Sequence, residues 1–240
     1  MYNLKHLQGR FATDTCYDDM KSIHGNTCCQ VDSHKVGFSA CHPKPNTKRE
    51  SLWETLDNFF HEFGVPENLT FDGFKSQVGQ NTKFNKNLRR YRIDHHISAP
   101  RWPNKNPAEG AIREIKRYFY ITTERKGVPK RILDYLAVWI FKTGNMSVLS
   151  SRYASGKTAL EIITGETLDI SEYLNFGFYD WVVYQTYAGL GELSLGWRIG
   201  FLHKVSQLMS YWILMVSGES ISYVNLKRLT EAEKQTNEYK

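Results

Sequence analysis

The stretch SAPRWPNKNPAEGAIREIKR, residues 98–117, changes character in its middle. Pro100, Pro103 and Pro107 each lack a backbone donor and restrict the residue before them, so residues 98–106 predict an irregular loop. From Pro107 onward the pattern is helical. Asn106 is placed as N-cap, Pro107 in the first turn and Glu109 in the capping-box position. Ala108, Ile112, Ile115 and Phe119 form an apolar stripe at spacings of four, three and four. The opposite side carries Glu109, Arg113, Lys116 and Arg117.

Upstream of this loop, RFATDTCY (10–17) alternates as a strand does, and TCCQVDS (27–33) and KVGFSAC (35–41) follow at hairpin distance with a turn expected at Ser33-His34. The segment PNTKRESLWETLDNFFHEFGVP (45–66) sets Leu52, Leu56, Phe59, Phe60 and Phe63 on one helical face. Asn46 or Thr47 is the expected N-cap and Gly64 the stop. A short buried strand, 68–71, ends at Asp72-Gly73; a basic helix, 83–90, and a strand, 92–97, complete the order βββαβαβ before the proline loop. A further helix is expected over about 129–146, with Leu133, Leu136 and Ile140 inward.

After residue 150 the pattern shortens. The expected organisation is an α/β core over 8–150, a connector over 151–178, a small all-β barrel-like module over 179–230 and a frayed tail over 231–240. Trp181, Trp197, Tyr211 and Trp212 are the expected core of the module.

With 41% apolar and 23% charged residues the chain is neither disordered nor fibrous in composition. The run YLAVWIF (135–141) is far shorter than the roughly 20 residues that cross a bilayer, so no membrane partner is expected. The first ten residues lack an apolar signal-peptide centre, and the expectation is an intracellular chain, nuclear if active in a eukaryote. Charge is uneven. Residues 1–72 carry 7 basic and 10 acidic side chains, 73–131 carry 15 and 4, and 132–240 carry 9 and 11, for nets of −3, +11 and −2. The central excess suits a polyanion, whereas the acidic C-terminal part does not. Cys16, Cys28, Cys29 and Cys41 lack zinc-site spacing. They read as reduced core thiols in preference to a zinc set with His24 and His42.

Three acidic residues stand out by position: Asp14 in the first strand, Asp72 at the end of the fourth and Glu109 in the first turn after the proline loop. Each has an ordinary alternative. Asp18 and Asp19 compete with Asp14, Asp-Gly pairs are common turns, and Glu109 fits a capping box. If the first and fourth strands are neighbours, the three side chains meet at one sheet edge, an oxygen-rich set suited to two hard divalent cations.

FATDT, ENLTFDG and SAPRWPNKNPAEGAIREIKR together resemble the D,D,E catalytic core of retroviral and retrotransposon integrases, with 57 residues between the aspartates and 36 between Asp72 and Glu109. The resemblance covers roughly residues 10–125, and the connector GKTALEIITGETLDISEYLNFG is similar to that of copia-type polyproteins. It implies an RNase H-like α/β fold with a mixed five-stranded sheet flanked by helices. It also implies DNA 3′ processing and strand transfer, two Mg²⁺ or Mn²⁺ ions on Asp14, Asp72 and Glu109, and a homo-oligomer acting on element ends and target DNA. Arg113, Lys116 and Arg117, with Lys105 and Trp102 in the loop, are the expected nucleic-acid contacts. Asp72-Gly73 stands where the family often has Asp-Asn-Gly, and thirteen residues before Asp14 leave no room for the family's His-His-Cys-Cys domain, so a fragment is expected. The rival readings are a non-catalytic nucleic-acid-binding remnant and an RNase H-type nuclease.

Overall fold

The computed structural model describes residues 4–17, 20–72, 83–98, 106–148, 156–167, 169–185, 193–201, 210–230 and 232–233. The chain divides into two compact units, 1–168 and 169–240.

The first unit opens with a meander of β1 (His6–Tyr17), β2 (Cys28–His34) and β3 (Ser39–Lys44), followed by α1 (Arg49–Glu62), β4 (Val65–Asp72), α2 (Lys83–Arg90) and β5 (Asp94–Ser98). After these come α3 (Pro107–Lys126), a 3-10 turn over Lys130–Ile132, α4 (Leu133–Met146) and α5 (Ala159–Thr164). The strands lie in the order β3-β2-β1-β4-β5, with β1 antiparallel to β2 and parallel to β4, and β4 parallel to β5. This is the mixed five-stranded sheet expected from the sequence.

Alternation along β1 gives the sheet two apolar faces. Phe11 joins Leu52, Leu56, Phe59 and Phe60 of α1, Phe84 and Leu88 of α2, and Ala159 and Leu160 of α5. On the other face Cys16, Cys29, Val31 and Cys41 pack with Ile115 of α3 and Ala137 and Phe141 of α4. All four cysteines are buried and none forms a disulfide. Phe59 is fully buried, with ring centroids 5.6 Å from Phe11 and 5.4 Å from Phe63; each such ring contributes about 1.5–3 kcal/mol by leaving water.

Helix α1 ends at Phe63, and Gly64 takes φ 125°. A Cβ on Gly64 would stand 2.5 Å from the Lys5 carbonyl oxygen, so only glycine lets the chain pass directly from α1 into β4 beside β1. Val65 N–H then donates to that same Lys5 carbonyl at 2.8 Å.

Some local expectations differ from the structure. The hairpin turns at residues 35–37, because Ser33 and His34 stay paired and Gly37 (φ 94°) accepts the left-handed position. Lys48 occupies the α1 N-cap, while Asn46 Oδ1 accepts from Lys48 N–H and the Ser51 hydroxyl. His95 and His96 are both exposed on the edge strand β5.

The second unit contains α6 (Ser171–Leu174) and β6 (Trp181–Gln185), β7 (Leu193–Phe201), β8 (Tyr211–Met215), β9 (Ser220–Tyr223) and β10 (Leu226–Arg228) in the antiparallel order β10-β6-β7-β8-β9. Its core is Phe176, Val182, Tyr184, Tyr211 and Ile213. Tyr211 meets the sequence expectation. Trp181 does not, since it is 38% exposed and lies against Trp197 with tilted rings, centroids 4.3 Å apart. The tail over 231–240 lies outside the described residues apart from 232–233. Among the described residues no helix is long and apolar enough to cross a membrane.

A charged cluster joins α1 and α4 at β3. His42 lies 3.8 Å from Asp32 and 3.4 Å from Glu62, and Glu62 lies 3.6 Å from Lys142. Burial alone would lower the His42 pKa, but the two carboxylates outweigh it and hold the imidazole at about 9. Because this lies above the ordinary value of 6.5, the stabilisation is complete below about pH 6.5 and lost as pH rises to about 9. Thermal melts should therefore show a steeper fall in Tm between pH 6 and pH 10 for the wild type than for His42→Gln; parallel slopes would contradict this.

Candidate active site

Asp14 is brought to its place by strand register. Thr13 pairs with Phe71 across the parallel β1–β4 ladder, so Asp14 and Asp72 follow one another's level at the same end of adjacent strands. Phe71 is buried against α2, which directs Asp72 to the opposite, α3 face, the face to which Cys16 assigns Asp14. Glu109 arrives from α3. The Asn106 side chain accepts from Ala108 N–H at 3.0 Å, and buried Ala108 and Ile115 seat the helix against the sheet.

The capping-box alternative for Glu109 is not what the cap uses: Asn106 supplies the side-chain bond, and no reciprocal bond from the Glu109 carboxylate is formed. Asp18 and Asp19, the alternatives to Asp14, lie outside the described residues.

Asp14, Asp72 and Glu109 are all half-buried. Burial raises the Asp14 pKa above the ordinary carboxylate value; the Thr15 N–H, 2.7 Å from Oδ1, opposes this, the charges of Asp72 and Glu109 raise it further, and Lys44 lowers it. The structure therefore sets Asp72 and Glu109 within electrostatic reach of Asp14. Among the described residues no three His, Cys, Asp or Glu side chains are grouped so as to hold a metal ion, and this covers Asp14, Asp72 and Glu109 as well as the His24, Cys28, Cys41 and His42 set. The donor chemistry nonetheless fits a hard divalent cation, because three carboxylates that repel one another in a half-buried corner are the oxygen-only, negatively charged set such ions take.

Arg113 and Lys116 are exposed on α3, four and seven residues past Glu109. Arg117 is exposed but engaged: its guanidinium lies 2.9 Å from Glu114 and 5.1 Å from the Tyr118 ring centroid. Trp102 and Lys105 lie outside the described residues.

Sequence reasoning missed Lys44. It ends β3 in the pair Lys44-Pro45, which reads as a solvent-facing strand end, yet it is 2% exposed. Its ammonium donates to Thr15 Oγ1 at 3.1 Å and to Gln30 Oε1, directly under β1.

No protein-family model matches the chain, and no curated protein matches it. Among solved structures, the HTLV-2 integrase catalytic core domain in complex with magnesium (trimeric form) is 17% identical, with a TM-score of 0.48 over 64% of this chain and 95% of that one. The BIV integrase catalytic core is 12% identical, with a TM-score of 0.47 over 64% and 92%. A chain of the simian T-cell lymphotropic virus intasome in complex with PP2A regulatory subunit B56 gamma is 13% identical, with a TM-score of 0.51 over 96% and 83%. This last likeness spans both units and shows the fold: an RNase H-like integrase core followed by a small antiparallel β-module.

Removing either neighbouring charge relieves the repulsion on Asp14. In Asp72→Asn and in Glu109→Gln, the Asp14 carboxyl should titrate at lower pH than in the wild type, as followed by carbon-13 NMR of labelled aspartate; an unmoved titration would separate the three groups.

Proposed function

We propose that the chain is a metal-dependent polynucleotidyl transferase of the D,D,E integrase type, from a copia-like retroelement, acting in DNA 3′ processing and strand transfer. The observation that carries this reading is the register that sets Asp14 and Asp72 at the same end of the neighbouring parallel strands β1 and β4, with Glu109 in the first turn of α3 near enough for its charge to act on Asp14. The shared integrase-like fold supports it.

Asp14, Asp72 and Glu109 would hold two Mg²⁺ or Mn²⁺ ions. When bound, such ions supply activation of an attacking oxygen and stabilisation of the leaving oxygen in an in-line displacement at phosphorus. The protein's own part is placement. Thr15 N–H fixes one Asp14 oxygen, and the packed Ala108 and Ile115 keep the first turn of α3 over the sheet. Arg113 and Lys116 hold the DNA backbone beside the carboxylates, Lys105 is assigned the same task from its position in the sequence, and Trp102 is assigned to stack on or wedge against a distorted DNA end. Arg117 contributes less, because Glu114 already neutralises it. The substrates are element ends and target DNA, taken by a homo-oligomer.

The experiment is a comparison of wild type with Glu109→Gln on branched DNA in Mn²⁺. Glu109→Gln should lower turnover by about 10³-fold or more while leaving DNA binding within about threefold, since it removes a group needed only at the reacting phosphate. Equal turnover in the two proteins overturns the transferase reading. Absent turnover in both with intact DNA binding makes the chain a nucleic-acid-binding remnant, and cleavage restricted to RNA–DNA hybrids makes it a nuclease.

Affinity for duplex DNA should also fall steeply with salt, and Lys116→Gln should reduce the slope of log K against log salt by about 0.9. A slope unchanged by that substitution would remove Lys116 from the phosphate contacts.

A further inference from the structure

The two faces of β1 are chemically opposed. Asp14 faces α3 with Asp72 and Glu109, while Thr13 and Thr15 face the α1 side, where a polar network lies around buried Gln30 and Lys44. Lys44 Nζ donates to Thr15 Oγ1 and Gln30 Oε1; Thr15 Oγ1 donates to the same Gln30 oxygen at 2.9 Å, and Gln30 Nε2 donates to Thr13 Oγ1 at 2.6 Å. Gln30 is 0% and Lys44 2% exposed.

A buried ammonium whose bonded partners are all neutral is costly to desolvate. Burial lowers its pKa, and the groups that offset this act through space: Cys28 foremost, then Asp32 on its own face, Cys29, and Asp14 across the strand. Its bonds also have a direction. They clamp Thr13 and Thr15, the residues on either side of Asp14, and the Thr15 N–H is the group that holds Asp14 Oδ1 at 2.7 Å.

We propose that Lys44 is a positioning residue of the carboxylate site: through Thr15 and Gln30 it fixes the β1 peptide that orients Asp14 for a divalent cation. The inference deepens the function proposed above and rests on it for the cation, but the clamp itself is a property of the protein alone. Lys44 does not touch DNA or metal. It acts as partners behind a metal ligand do, by setting the ligand's orientation.

The test uses the full chain and two variants, Lys44→Met, which keeps length without charge, and Thr15→Val, which keeps shape without the hydroxyl. Amide hydrogen exchange at residue 15 should accelerate about tenfold relative to the Phe11 amide in the same strand, a local ratio that general destabilisation leaves unchanged. The apparent Kd for Mn²⁺, measured by water-proton relaxation, should rise about tenfold. On branched DNA the loss should appear in the Mn²⁺ requirement and should be largely recovered at saturating Mn²⁺.

Unchanged protection at residue 15 in the folded variants overturns the proposal, and so does lost protection with unmoved manganese affinity. A wild type that binds no manganese refutes the function proposed above instead; loss of protection at residue 15 in Lys44→Met would then still support Lys44 as the holder of the carboxylate.

Discussion

Carboxylates crowded into a half-buried corner repel one another, and the elements that carry them stay together only because apolar packing elsewhere is stronger. In this chain that packing lies on two faces of one sheet. The Phe11, Phe59, Phe60 cluster fixes α1 beneath β1 and β4, and the Cys29, Val31, Ile115, Phe141 cluster fixes α3 and α4 above them. Asp14, Asp72 and Glu109 sit where these two packings leave the ends of the parallel strands partly open. Burial of apolar surface, at about 25 cal/mol per Å², supplies the stability that such a site consumes.

The polar groups inside the first unit are arranged in relation to that corner. Lys44 is opposite Asp14 through the thickness of one strand, and His42, two residues earlier on the same strand as Lys44, is held cationic between Asp32 and Glu62. Lys44 is buried and His42 part-buried on the α1 side, where Asp32 and Glu62 supply the carboxylates that face His42, while Asp14, Asp72 and Glu109 belong to the α3 side.

Much of this was legible because the signals were periodic or positional. The α1 stripe, the Gly64 stop and the Asn106-Pro107 start of α3 each combine spacing with a residue whose backbone preference is strong, and all three are found in the structure. The pairing of β1 with β4 was needed to bring Asp14 to Asp72, and only the register shows it. What sequence did not reveal depends on partners distant along the chain. Ser33 and His34 look like turn formers but are retained in the ladder by Phe11 and Ser39. Trp181 looks like a core residue but lies at the surface against Trp197. Lys44 looks exposed until Gln30, fourteen positions earlier, is seen to enclose it.

The passage from α1 into β4 leaves no slack. Gly64 alone separates the helix cap from the strand, and the absence of a side chain there lets Val65 dock on the Lys5 carbonyl. The seven steps from Val65 to Asp72 therefore behave as a ruler with its zero fixed at the helix end. Because side chains alternate at every step of a strand, one inserted or deleted residue in that interval would turn Asp72 toward the phenylalanine core and bring Phe71 or its successor out beside Asp14. The chain tolerates changes of residue along this ruler far better than changes of length, so an evolutionary lineage can rewrite the letters of β4 but not its count.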